Sequence, residues 1–322
     1  MVTTARTLAD VSEAELLRQI FPFFASSPTL SVGPGDDAAV LRTGPATVAT
    51  TDSMVRGRDW LDEWSTAGDV ATKLLTQNLA DVAAMGATST AVLVSLVADP
   101  ATPLDWAVDF ARVLGEQASA AGVVVAGGDL SSAQAGSLMV SVTALGDLGG
   151  RRPVLRSGAR PGDVVAVNGT LGRSAAGLAL LQGGADPRKQ PPGIHTWCVQ
   201  HHLRPQAPLA AGPEAARAGA GAMIDLSDGL LRDGHRIAAA SGVRLALSPT
   251  GLQDDYAALA PVVGAAAWEC VLAGGEEHSL LATFAGSVPD GWRTIGVVEP
   301  GEGVTFDGAV QAARGWDHFE SR

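Results

Sequence analysis

Two hydrophobic periods divide the first half of this chain. Between residues 68 and 85, Val70, Leu74, Leu75, Leu79, Val82 and Met85 recur at three- and four-residue steps. That spacing predicts a long helix with one apolar face, and Gly86 suits its end. Residues 46–55 alternate instead and are rich in Val and Thr, which predicts a strand carrying Thr50, Thr51 and Asp52 at its end. An opening helix is predicted over residues 8–24. Ser12 is its N-cap, Glu15 follows three residues on, and Leu16, Leu17, Ile20 and Phe21 form its inner face. Apolar runs at 91–97, 123–126 and 138–145 predict strands, and residues 106–121 predict a second amphipathic helix entered through Pro103. The order strand, helix, strand, helix, strand, strand describes an α/β layer. A Gly/Arg/Pro linker at 149–153 closes it, so domains of 1–148 and 149–322 are expected.

The second half predicts strands at 164–167, 245–247 and 280–284. It also predicts helices over 174–181 and 207–218, and a third running through Ala240, with a polar loop at 183–193. The fold class is therefore α/β with α+β character, in two domains. A length of 322 residues agrees, being long for a single core.

Composition narrows the function classes. A formal net charge of −12 disfavours nucleic acid and anionic membrane as partners, since both need a basic footprint. Cys198 and Cys270 lie far apart without metal-binding spacing, which disfavours a structural zinc or a disulfide framework. The first residues carry no apolar signal segment, and no uninterrupted apolar run approaches the ~18 residues of a membrane span. A cytoplasmic enzyme is expected.

The chemistry gathers in short acidic motifs. Ile224-Asp225-Leu226-Ser227-Asp228-Gly229-Leu230 places two carboxylates three residues apart among apolar neighbours, where a charge needs a partner. Asp36-Asp37, Thr50-Thr51-Asp52, Asp81 and Gly127-Gly128-Asp129 echo it, and Gly274-Gly275-Glu276-Glu277-His278 is a further glycine-then-carboxylate turn. Oxygen donors of this kind suit magnesium rather than zinc. Several such ions imply a polyanionic ligand, of which a nucleoside triphosphate is the commonest. No P-loop, GxSxG, HExxH or kinase HRD/DFG motif is present. Gly33, Gly35 and Ala38 loosely match a dinucleotide fingerprint, but two aspartates at that turn would repel a pyrophosphate. Each acid alone reads first as a turn or cap residue. Asp225 and Asp228 could cap the next helix, and Asp81 could be solvated. His278 and His318 read as surface or cap residues and Trp316 as packing. Arg156 is either an ordinary surface arginine or a phosphate clamp.

Taken together, GDDAAVL at 35–41, TTDSMV at 50–55, NLADVAAMGA at 78–87, GGDLSS at 127–132, LRSGARPGD at 155–163, IDLSDGLLRD at 224–233 and GGEEHSL at 274–280 resemble the thiamine-monophosphate kinase family. That family lies within the AIR-synthase-like, or PurM-like, ATP-binding superfamily. The resemblance spans nearly the whole chain, in order. It implies ATP-dependent phosphorylation of thiamine monophosphate with several Mg2+ ions. It also implies a homodimer whose N-terminal sheets pair across the two-fold axis. By the same resemblance the metal ligands are Asp37, Thr50, Thr51, Asp52, Asp81, Asp129, Asp225 and Asp228. ATP contacts fall on Gly128, Asp129, Arg156 and Ser227, and substrate contacts on Glu276 and Trp316. Arg156, Asp52 and Asp225 are the catalytic candidates. Asp59 stands where the family often has a substrate-contacting histidine, and Glu277 stands where an aspartate is usual. Another enzyme of the superfamily, or a silent ATP- or metal-binding dimer, is the alternative; no cysteine near the N-terminus supports selenophosphate synthetase.

Overall fold

The computed structural model describes residues 6–35, 38–190 and 192–316, so Asp36, Asp37 and His318 lie outside the described residues. The chain forms two compact units, one of residues 1–82 with 89–150 and one of 83–88 with 151–322.

The first unit opens with α1 (Glu13–Ile20), whose N-cap Ser12 accepts the Glu15 N–H through Oγ at 3.2 Å. The expected helix over 8–24 is broken into a 3-10 turn at Leu8–Asp10, then α1, then a 3-10 turn at Phe21–Phe23. Pro22 lies in that last turn and lacks the N–H a continuing helix requires. Removing the Ser12 cap with Ser12→Ala should cost about 1 kcal/mol, read as a lower denaturant midpoint at unchanged slope.

Strands β1 (Leu30–Val32) and β2 (Val40–Leu41) pair antiparallel around the glycine-rich turn. The next element is the strand β3 (Thr47–Val55), so no helix opens after the turn as a dinucleotide site would need. The alternation read in β3 is real: its odd-numbered residues are exposed, while Thr50, Asp52 and Met54 turn inward. Helix α2 (Ala67–Ala84) starts on a reciprocal cap between Thr66 and Asp69 and stops before Gly86, whose φ is +74°. Its Val70, Leu74, Leu75, Leu79 and Val82 are all buried. Next come β4 (Thr88–Ala98), α3 (Leu104–Ala120), β5 (Val124–Ser132) and β6 (Leu138–Asp147). The four long strands form one sheet in the order β3-β6-β4-β5, with β3 and β5 at its edges.

The Gly127-Gly128-Asp129 segment was expected to be a turn after a short strand; it lies inside β5. A Cβ added at Gly128 would sit 1.9 Å from the Val94 carbonyl oxygen, so the glycine is what lets β5 run beside β4. The parallel β4–β5 ladder shifts register nearby, between Val92 and Leu93.

The second unit carries β7 (Val164–Asn168), α4 (Arg173–Gln182), α5 (Ile194–Leu203), α6 (Ala211–Arg217), β8 (Ala222–Asp225), α7 (Leu230–Ser241) and β9 (Arg244–Leu247). It continues through α8 (Pro249–Val263), α9 (Ala267–Ala273), β10 (Leu280–Phe284), β11 (Arg293–Glu299), β12 (Gly303–Phe306) and β13 (Ala309–Gln311). Seven strands form a sheet in the order β13-β12-β9-β11-β7-β10-β8, antiparallel apart from the β12–β9 pair. Val165, Val167, Ile224, Leu245, Leu281 and Ile295 of the sheet pack with Leu230, Leu231 and Ile237 of α7 in one core. Residues 249–273 are long and apolar enough to cross a membrane by composition. They divide at a 3-10 turn, Gly264–Ala266, and send Leu252, Leu259, Ala267 and Val271 into this core.

Candidate functional site

In the first unit, strand pairing and helix packing bring part of the acidic set together. Thr50 Oγ1 donates to Asp81 Oδ2 at 2.8 Å, and the Asp52 N–H donates to Asn78 Oδ1 at 3.0 Å. Asn78 is fully buried and anchored by its own Nδ2, which donates to the Leu74 carbonyl at 2.8 Å. Helix positions 78 and 81 stand one turn apart on α2 and face alternate β3 residues 52 and 50. Thr51 points to the other face, where its Oγ1 donates to the Val142 carbonyl at 3.0 Å and accepts from Thr143 Oγ1 at 3.1 Å. Its hydroxyl therefore does not join the Thr50 hydroxyl and the Asp81 carboxylate. Asp129, on the opposite edge strand from Asp52, accepts from Ser131 Oγ at 2.9 Å. Three inter-strand steps separate those two edges, about 14 Å. Asp59 closes the turn after β3 by accepting the Val55 N–H at 2.7 Å.

In the second unit, the loop after β8 and the loop before β10 run side by side. The Glu276 N–H donates to the Ser227 carbonyl at 2.7 Å, and the His278 N–H to the Leu226 carbonyl at 2.9 Å. The Trp316 N–H reaches the Asp228 carbonyl at 3.0 Å, so Ser227, Asp228, Glu276 and Trp316 belong to one constellation. Glu276 and His278 have φ of +61° and +53°, a left-handed backbone that side chains other than glycine adopt at a cost. His278 was expected at the surface; it is buried, with Nδ1 3.4 Å from Asp225 Oδ2.

Asp233 was not singled out by sequence, yet it organises the loop. Its Oδ2 accepts the N–H groups of Asp228 and Gly229, each at 3.0 Å, which satisfies donors at the start of α7 where Gly229 has no capping side chain. Burial and the nearby Asp225 charge push its carboxyl up to about 7, against the pull of Arg236. Arg236 bridges Asp233 and Asp228, and Arg232 stands 3.9 Å from Asp228.

Glu277 does a similar job for α4. It is 1% exposed, and it accepts the Ser174 N–H at 2.8 Å and the Thr170 hydroxyl at 2.9 Å, with His201 Nε2 at 3.0 Å. Burial raises its carboxyl, but His201, Ser174 and Thr170 outweigh burial and hold it below the ordinary value of 4.5. A depressed folded-state pKa adds stability above the unfolded value, and that stability is lost as pH falls through the folded one. Below pH 4.5, wild type should therefore lose stability more steeply than Glu277→Gln, measured as denaturant midpoints across the acid range.

Residues 35–148 match the AIR synthase related protein, N-terminal domain. The chain is 43% identical to thiamine-monophosphate kinase of Mycobacterium tuberculosis, over 99% of this chain and 95% of that one. The chain belongs to the thiamine-monophosphate kinase family. The Corynebacterium glutamicum member is 39% identical over 97% of this chain and 95% of its own. The solved thiamine-monophosphate kinase of Stenotrophomonas maltophilia superposes with a TM-score of 0.82 at 30% identity, covering 94% of this chain and 98% of that one. AaThiL complexed with AMPPCP and TMP superposes with a TM-score of 0.77 at 30% identity, covering 85% and 87%. The two-unit α/β architecture is that of the PurM-like fold.

Against this thiamine-monophosphate kinase background, the expected residues fall into three sets. Thr50, Asp52 and Asp81 share one face of β3 and α2 in the first unit. Ser227, Asp228, Glu276 and Trp316 share one loop cluster in the second, with Asp225 immediately beside it at the end of β8. Thr51 and Asp129 stand apart from Asp52 within the first sheet, and Asp59 and Glu277 are committed to a turn and a helix start. Arg156 is exposed on the loop before β7, which its own carbonyl ties to Ser241 Oγ at 3.0 Å. Sequence reasoning missed Asp233, Arg236, His201 and His202. For Asp233 the usable signal was an acid in the first turn of a helix whose N-cap is glycine.

Among the described residues, no three His, Cys, Asp or Glu side chains converge as a metal cluster. The donor chemistry of Thr50, Asp52 and Asp81 nonetheless fits a hard cation, all three offering oxygen. Asp228 fits less directly, because its carboxylate is held by Arg236.

Proposed function

We propose that this chain transfers the terminal phosphoryl group of ATP to thiamine monophosphate, giving thiamine diphosphate and ADP. The observation that carries this reading is the 43% identity to a thiamine-monophosphate kinase along 99% of the chain. The acceptor is a phosphate oxygen of the substrate, already ionised at neutral pH. It needs no general base, and no Ser, Cys or His has to act as a nucleophile. The acceptor oxygen bonds to the γ-phosphorus as the bond to the bridging oxygen breaks, and the electron pair leaves with ADP. The barrier is the approach of two anions, so positioning and charge stabilisation dominate.

Arg156 is the phosphate clamp of this reading, its planar fork suited to two oxygens at once. Gly128, Asp129 and Ser227 contact the nucleotide. Glu276 and Trp316 take the thiamine side, a carboxylate and an aromatic face suited to a cationic ring. Asp37, Thr50, Thr51, Asp52, Asp81, Asp129, Asp225 and Asp228 are the proposed Mg2+ ligands. Bound Mg2+ would neutralise the phosphates and the charge that develops on them. The Thr51 hydroxyl is bonded to the Val142 carbonyl on the other face of β3, so it is turned away from Thr50 and Asp81. We place the enzyme in the cytoplasm as a homodimer. An ADP-release assay comparing thiamine monophosphate, thiamine and unrelated phosphates tests the substrate. Release with thiamine monophosphate alone is expected, and release with thiamine but not its monophosphate would overturn the assignment.

A further inference from the structure

The last turn of α5 sets two histidines against two adjacent acids. His201 Nε2 stands 3.0 Å from Glu277 Oε2, and His202 Nδ1 stands 3.3 Å from Glu276 Oε2. The two pairs differ in what the acid can still reach. Glu277 is sealed in and bonded to α4, whereas the Glu276 side chain keeps 37% of its surface open. His202 itself is buried, and its Nδ1 also lies 3.0 Å from Ser174 Oγ. We infer that His202 is a positioning residue for Glu276, orienting its carboxylate for the thiamine moiety. The inference deepens the reading of Glu276 as a substrate contact and rests on it.

Hydrogen-bond chemistry gives this pair its direction. A carboxylate only accepts, so Nδ1 must carry the proton when it bonds Glu276. Ser174 Oγ can then share that same N–H as an acceptor. A Ser174 hydroxyl donating to an unprotonated Nδ1 would leave two lone-pair bearers, Nδ1 and Oε2, facing each other. The Glu276 bond therefore selects the form of His202 with hydrogen on Nδ1. The backbone supplies the other constraint. Glu276 is left-handed and its N–H is tied to the Ser227 carbonyl at 2.7 Å, so the acid starts from a fixed point beside the proposed nucleotide contact. One end of the side chain is set by that turn and the other by a buried imidazole. Preorganised groups of this kind lower the ordering cost of binding.

The test is a set of four proteins: His202→Ala, His202→Asn, Glu276→Gln, and the double variant of His202→Ala with Glu276→Gln. The Asn amide nitrogen stands close to where Nδ1 stood, so it restores a donor without the ring. For His202→Ala the expected result is a KM for thiamine monophosphate raised about tenfold, with kcat and the KM for ATP changed less than about twofold. His202→Asn should recover most of that loss. In the Glu276→Gln background, His202→Ala should add nothing further, since the acid it orients is gone. Equal losses for both substrates, or effects that simply add, would mean a structural role and overturn the inference. Calorimetric binding of thiamine monophosphate, with thermal midpoints on the same proteins, separates this from the parent reading. His202→Ala binding as tightly as wild type would overturn the positioning role. Tight wild-type binding without ADP release would overturn only the kinase assignment.

Discussion

Replacing Asp52 with alanine should leave a folded protein whose thiamine-monophosphate-dependent ADP release falls at least about a thousandfold. The fold should survive because two of the bonds Asp52 makes run through its backbone, and alanine keeps both. Its N–H donates to Asn78 Oδ1, and its carbonyl accepts from Ser141 Oγ at 3.0 Å. The side chain lies on the β3 face where Thr50 meets Asp81, and an alanine there deletes charge without opening the core. Asp225→Ala should lose activity to a similar degree. It should also cost stability, because Asp225 is buried against His278 in the second unit. Circular dichroism and denaturant midpoints alongside the assay separate the two effects. Near-normal turnover in Asp52→Ala would remove this residue from the proposed metal set.

Gly128→Ala should destabilise the first unit by at least about 3 kcal/mol, whereas Gly127→Ala next to it should cost about 1 kcal/mol or less. The contrast comes from what each new methyl would meet. At Gly128 it would sit 1.9 Å from the Val94 carbonyl oxygen, a backbone atom that cannot step aside. At Gly127 the nearest atom is Leu93 Cδ2 at 3.7 Å, an ordinary contact. Chemical denaturation of both variants is the measurement. Equal midpoints would mean that β4 and β5 are not as closely paired as described. The prediction separates two reasons for a glycine in this motif, since a nucleotide contact alone would leave stability untouched.

The first unit was largely legible because its periods are strong. The helical spacing in 68–85 gave α2, and the alternation in 46–55 gave β3, each within two residues of its observed ends. The Ser12 cap was readable because a side-chain oxygen three residues before a glutamate has few other uses at a helix start. The Gly127-Gly128 pair misled because glycine is read as a chain breaker, while here it is what close strand pairing requires. The second unit was harder. Helix α8 holds Pro261 and many alanines, so it shows a breaker and a weak period where the structure has a helix. Helix α5 buries Cys198, Val199, His202 and Leu203 with little apolar contrast between its faces. Missing α5 also hid the His201–His202 pair, whose partners lie more than 70 residues further along the chain. Of the site, the acids were visible as motifs, but their sorting was not. Only pairing and packing reveal that Glu277 caps a helix, that Asp59 closes a turn, and that Asp233 holds the loop on which Asp228 stands.

The most direct measurement follows the phosphorus. Wild-type protein is given ATP labelled in its γ-phosphate together with thiamine monophosphate and Mg2+, and the products are separated. Label is expected on the terminal phosphate of thiamine diphosphate, in proportion to ADP formed, with none retained on the protein. Label in free phosphate, or on a phosphorylated protein, would contradict direct transfer to thiamine monophosphate.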